Sequence, residues 1–244
     1  MTAALNLAQA LIWFVLEAIL IGRLQRGGWR RYPLVFAFAI TEFLVAVAEL
    51  PTFWAITFHD SPVFRSWSAR VYQRGEVFLE FFTFVLVISL IFRASAYLPV
   101  RRLMRIACVA GAILFAGISF WVHYDPRIKV GLWMAPWTRD LNLGTSILDL
   151  ALWALLLEQR RTDDCLLILS GALGIEFTGA AIGHSLRSVA THYHAWPALI
   201  GAKVIVVSSI IRVYLWARAF RPAAHPTAST PARPPAAAWP ARRN

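Results

Sequence analysis

The run from Val71 to Ala94, VYQRGEVFLEFFTFVLVISLIFRA, is long enough to cross a bilayer, whose hydrocarbon core takes about 20 predominantly apolar residues as a helix. Yet it carries two carboxylates, Glu76 and Glu80, one helical turn apart on one face, and Thr83 continues that face. An ionised carboxylate in hydrocarbon costs roughly 2.5–3.5 kcal/mol on insertion scales. This face must therefore turn toward protein, water or a partner, or else hold a proton.

The rest of the chain repeats the pattern. Of its 244 residues 59% are hydrophobic and only 15% charged, whereas soluble domains carry about a quarter charged residues. Seven spans emerge: Leu5–Leu24, Pro33–Ile56, Val71–Ala94, Leu103–His123, Trp137–Leu157, Cys165–Ser188 and Trp196–Phe220. The fold class expected is an all-α polytopic membrane protein, with residues 1–220 forming a seven-helix bundle. Residues 221–244 are a Pro/Ala-rich cytoplasmic tail, expected to be disordered and too short for an output domain. The N-terminus lacks a basic n-region and a cleavage site, so Ala3 onward is expected to be a retained helix. Cys108 and Cys165 lie at or near span starts and suggest neither a disulfide framework nor a CxxC metal site.

A net charge of +11 brings nucleic acid to mind, but the arginines cluster between apolar blocks, as topology signals do. Arg23, Arg26, Arg30 and Arg31 follow the first span; Arg93, Arg101, Arg102 and Arg105 the third; Arg160 and Arg161 the fifth; and the tail adds more. The opposite connections hold fewer: Arg65, Arg70, Arg74, Arg127, Lys129, Arg139 and Arg187. The positive-inside rule then sets the N-terminus outside and the C-terminus in the cytoplasm. Trp54, Trp67, Trp121, Trp133, Trp137 and Trp196 map to the outer boundary, with Trp29 and Trp216 near the inner one, as an interfacial belt requires. Tyr124–Pro136 reads as an outer connection along the interface.

Spans one and five both begin Leu-Asn-Leu, at Leu5 and Leu141. Span two holds Ile40-Thr41-Glu42-Phe43 where span six holds Gly174-Ile175-Glu176-Phe177. A parallel repeat of three helices, one linker and three helices is one reading of this, known in transporters. Chance similarity between Leu/Ala-rich helices is the other, and spans three and seven align poorly.

The candidate site residues are Glu42, Glu49, Glu76, Glu80, Asp149, Glu176 and Lys203, for a proton or small solute. Lys203, Glu49, Glu76 and Glu80 share an outer-half depth; Glu42, Glu176 and Asp149 lie nearer the middle; Glu17 and Arg212 lie lower. The expectation is an outer-half site in which Lys203 balances one of the three glutamates. Lys203 and Arg212 otherwise read as snorkelling to the two interfaces. Asn6, Gln9, Trp13 and Glu17 form one stripe of span one, and Asn142, Ser146, Asp149 and Trp153 one of span five. Bonding between helices is the plain account of the amides and Ser146. Glu176 shares a face with Gly179 and Gly183, a small-xxx-small pattern that lets helices approach. Burial raises carboxylate pKa values, so an excess of acids over mid-span cations points to groups that exchange protons.

His59, His123, His184, His192 and His194 map to the outer face without a zinc spacing, and read as solvated loop histidines. No HExxH, GxSxG, Walker A or GxGxxG is placed as those chemistries need. No metal, cofactor or enzyme activity is expected, and the lipid bilayer is the expected environment.

Span one followed by Arg30-Arg31-Tyr32-Pro33 and span two resembles an uncharacterised bacterial family of seven-transmembrane-helix proteins. That resemblance implies the bacterial inner membrane and no mechanism. The three-plus-one-plus-three plan is similar to PQ-loop and SWEET sugar carriers, but Ala8-Gln9 stands where their Pro-Gln signature would be. A seventh-span lysine opposite third-span acids is similar to microbial rhodopsins, in which that lysine carries retinal. Here Lys203 lies too far outward and the Asp-Trp-x-x-Thr pattern is missing, so retinal is the remotest alternative. Three readings stay open: a proton- or solute-linked carrier, a sensor acting through a cytoplasmic protein partner, and an accessory subunit of a membrane complex.

Overall fold

The structure, a computed structural model, describes residues 2–58, 62–97, 101–127, 130–158, 163–190 and 195–221, leaving aside the side chains of 2–4, 52–74, 97, 130–132, 135, 187–190 and 195. Its helices are α1 (Thr2–Arg23), α2 (Pro33–Phe58), α3 (Pro62–Ala94), α4 (Arg101–His123), α5 (Val130–Glu158), α6 (Asp164–Ala190) and α7 (Ala195–Ala219), and no strand occurs among the described residues. All seven contain a stretch long and apolar enough to span a membrane, consistent with an integral membrane protein.

Two helices begin earlier than expected. The third starts at Pro62, and the fifth starts at Val130 and runs through Pro136. The outer connection expected over Tyr124–Pro136 is therefore shorter, because Pro136 follows only one or two helical turns that its missing N–H barely disturbs. The side chains of Trp54, Trp67, His59, His192 and His194, and everything past Arg221, lie outside the described residues.

Two glycines shape the link from α1 to α2. A wider turn, Leu24–Gly28, ends α1, with Gly27 at φ 138°, a conformation reserved for glycine. At Gly28 a β-carbon would press on Leu24 (3.0 Å) and Phe220 (3.1 Å), so the absence of a side chain lets the end of α7 close over the turn. Pro33 then opens α2, where its fixed φ suits a first helical turn.

Six helices neighbour one another in a closed order, α1–α2–α3–α5–α6–α7 and back to α1, while α4 packs outside against α5 and touches α3 lightly. The broadest interface joins α6 to α7. Gly179 and Gly183 make it: added β-carbons would collide with Ser208 and Ile205, and at Gly183 with the Gly201 carbonyl at 2.6 Å. On α4 only Ala112 and Ser119 are buried, and Phe115 takes its seat over Gly144 of α5.

Most of the buried apolar residues gather in one layer toward one end of the bundle, supplied by all six ring helices, with Phe84 and Leu141 outside it. Leu20 and Leu24 (α1), Val35 and Phe38 (α2), Leu86 and Leu90 (α3), Leu152 and Leu156 (α5), Leu166, Leu169 and Leu173 (α6), and Val213 and Trp216 (α7) form one cluster. Lipid tails are as apolar as leucine, so close packing rather than water exclusion holds this cluster together. Trp216 belongs to it rather than to the interfacial belt: it is wholly buried, with its indole N–H donating to the Leu169 carbonyl at 3.1 Å. The reason is that Trp216 lies on the face of α7 turned to Phe38 of α2.

Arginines tie the helix ends beneath this cluster. Arg31 and the Tyr32 hydroxyl both donate to Asp163 at 2.6 and 2.8 Å, Arg23 donates to the Ala217 carbonyl, and Arg93 donates to the Arg31 carbonyl while lying 4.1 Å over the Tyr32 ring.

Candidate functional site

In five of the six ring helices an ionisable residue lies within about one turn of the apolar cluster, on its far side from the arginines: Glu17, Glu42, Asp149, Glu176 and Arg212. Helical periodicity explains the register. A group three or four positions from a core residue shares its face, and Glu17–Leu20, Glu42–Phe38, Asp149–Leu152, Glu176–Leu173 and Arg212–Trp216 are all so spaced. Three acids and the arginine come together.

Arg212 is the centre. Its side chain is wholly buried, and it joins two carboxylates from different helices, donating through Nη2 to Glu42 Oε1 and holding Nε 2.8 Å from Glu176 Oε2. Glu42 and Glu176 are 12% and 23% exposed, so both are largely withdrawn. Ser209 adds a hydrogen bond to Glu176. The guanidinium also lies 4.8 Å from the Trp216 ring centroid and 5.4 Å from that of Phe38, so the apolar cluster holds it from below by cation–π attraction.

Glu17 completes the group. It is wholly buried within electrostatic reach of Glu42, Arg212 and Glu176. Among the described residues neither of its oxygens has a hydrogen-bond partner, and Glu42 Oε2 and Arg212 Nη1 are likewise unpartnered. Two carboxylates share one guanidinium with a third buried beside them, and all three cannot stay charged at low cost.

The remaining expected site residues sit apart from this centre. Asp149 is buried and accepts from Ser170 at 2.8 Å, between α5 and α6. Glu80 accepts from Asn142 at 3.0 Å, between α3 and α5. Glu49 and Glu76 belong to the crossing of α2 and α3, where Glu49 Oε1 would lie 3.2 Å from a β-carbon at Gly75, the residue before Glu76. Lys203 balances none of the three glutamates through its described contacts. Its ammonium donates to Asn6 at 2.7 Å and to Gln9 at 2.6 Å, because α7 packs beside α1 and brings it onto the amides of the α1 stripe. At the end of the bundle away from the arginine ties Asp140 accepts from Ser119 at 2.8 Å and pairs with His123 at 2.9 Å, which holds the peripheral α4 to α5.

Arg212 and Glu17 are the members that the spacing alone left out. The stripe Asn6–Gln9–Trp13–Glu17 carried the signal: its upper part meets Lys203 and its lower end meets Arg212.

On the other side of the apolar cluster lies a recess of about 270 Å³, lined by Arg23, Arg26, Arg31, Tyr32, Phe220 and Arg221 among others. Burial, then the nearby Cys165 and Asp163, pushes the Tyr32 hydroxyl well above its ordinary range, so it stays a donor to Asp163.

No known protein family matches the chain, and neither a curated protein nor a solved structure matches it.

Proposed function

We propose that the protein is a proton- or small-solute-linked carrier of the bacterial inner membrane, N-terminus outside, which binds its cargo or coupling proton at the Glu42–Arg212–Glu176 centre. The observation that carries this reading is one wholly buried arginine shared by carboxylates from separate helices, with a third acid beside it. Ionisable groups at membrane depth are expensive, and they mark ion pathways and proton relays. A bundle that only had to hold together would do so with packing and neutral hydrogen bonds.

Reading the chain as a parallel repeat, with spans two and six in register, accords with the same proposal. Glu42 and Glu176 are its equivalent positions, and both bind Arg212. Exchanging α1, α2 and α3 for α5, α6 and α7 carries the ring of neighbours onto itself and leaves α4 outside. Carriers built from repeats place their sites near the bilayer midplane at the repeat interface. The gathering of arginines at the end that joins α1, α3 and α7 supports a cytoplasmic assignment for that end.

The test is flux in vesicles reconstituted with the purified protein and loaded with a pH-sensitive dye. Proton or solute uptake is expected under an imposed gradient, and it is expected to vanish in Glu176→Gln or Glu42→Gln protein that still purifies as a folded bundle. Absence of flux under pH, voltage and solute gradients would overturn the carrier. A sensor with a cytoplasmic partner or an accessory subunit would then stand, and co-purification of a larger complex would separate these two.

A further inference from the structure

Besides the Arg212 Nε that faces Glu176, four buried atoms of this centre have no hydrogen-bond partner among the described residues: both Glu17 carboxyl oxygens, Glu42 Oε2 and Arg212 Nη1. They come from α1, α2 and α7, which pack side by side. As drawn by their charges alone, three carboxylates and one guanidinium leave the group two negative charges in excess, in a place with no described donor for Glu17. A buried carboxylate in such surroundings does not remain charged; it neutralises.

We propose that Glu17 is a proton-binding site of this centre, protonated while Arg212 is shared by Glu42 and Glu176. One proton supplies each of these four atoms with a chemical complement. The protonated Glu17 has one O–H to donate and one carbonyl oxygen to accept with. Glu42 Oε2 is the open acceptor, and Arg212 Nη1 is the open donor. Loss of that proton turns Glu17 into a competitor for Arg212, which then has to loosen its hold on Glu42 or Glu176. The charged groups that face Glu17 are Glu42 from α2, Glu176 from α6 and Arg212 from α7; Arg23, further along α1, is engaged with the Ala217 carbonyl. Proton release and partner exchange by Arg212 are thereby one event, which supplies a coupling step for the carrier reading on which this inference builds.

The experiment is infrared spectroscopy of the whole protein in lipid vesicles, in light and heavy water, with and without carbon-13 in the glutamate carboxyl groups. A carbonyl stretch from a protonated glutamate is expected in the wild type at neutral pH. It should shift with the isotope, which separates it from Asp149, and it should be lost in Glu17→Gln. Absence of any isotope-shifted protonated band in the wild type overturns the proposal without need of a variant. So does a band unchanged in Glu17→Gln. Flux is scored separately: a band lost in Glu17→Gln from a protein that moves nothing upholds the proton site and rejects the carrier, and flux without the band does the reverse.

Discussion

Lys203 and Arg212 leave the same helix nine residues apart and meet opposite circumstances. Lys203 ends on two neutral amides in the half of the bundle away from the arginine ties, Asn6 and Gln9, and is only partly buried. Arg212 is sealed among acids and two aromatic rings. The difference follows from side-chain chemistry. An ammonium on a flexible stem can reach toward water, whereas a planar guanidinium with five donors can serve several carboxylates at once and stack on rings while doing so. One cation anchors a helix pair, and the other organises a centre.

This contrast can be broken at its stronger end. Arg212→Leu strands the carboxylates of Glu42 and Glu176 and is expected to cost about 3–5 kcal/mol, the range for removing one partner of a buried pair. Thermal melting in detergent reads it, and a melting temperature equal to wild type would show the centre to be energetically idle. A subtler approach leaves the charges alone. Gly179→Ala puts a methyl group into Ser208, one turn from Arg212, and is expected to cost about 1–3 kcal/mol through overpacking. Because it pushes α6 from α7, suppression of the Glu176→Gln effect in the double variant would show that close approach is what makes the Arg212–Glu176 pair. The smallest effect belongs to Lys203→Gln. It exchanges two hydrogen bonds for weaker ones at an exposed end and should cost under about 1 kcal/mol; a loss as large as that of Arg212→Leu would erase the distinction between the two cations.

Span number and most span limits were legible because apolar length is a one-dimensional property, readable without knowing any neighbour. The matched glutamates of spans two and six were legible as well, and they converge on one side chain. What did not read through was partnership. Periodicity says which residues share a face but not which helix that face meets, so Lys203 was expected opposite glutamates and is found on α1. Arg212 was open to snorkelling because its length allows it; only the position of α7 between α1 and α6 turns it inward. Trp216 shows the same limit from the apolar side, since a ring four residues from the buried arginine belongs to the interior whatever its distance from the helix end.

The apolar cluster under the charges has an electrical consequence. On α6 the part of it between Leu166 and Leu173, on the recess side of Glu176, rises through seven residue steps, roughly 10 Å at 1.5 Å per residue. Were water to reach the charged centre from the other side, a dry layer that thin above the arginine-lined recess would take most of the membrane voltage, at about 2.3 kcal/mol per elementary charge per 100 mV. Leucines and one tryptophan would then act as the dielectric of a capacitor, and any charge crossing between its plates would feel most of the field in a single step.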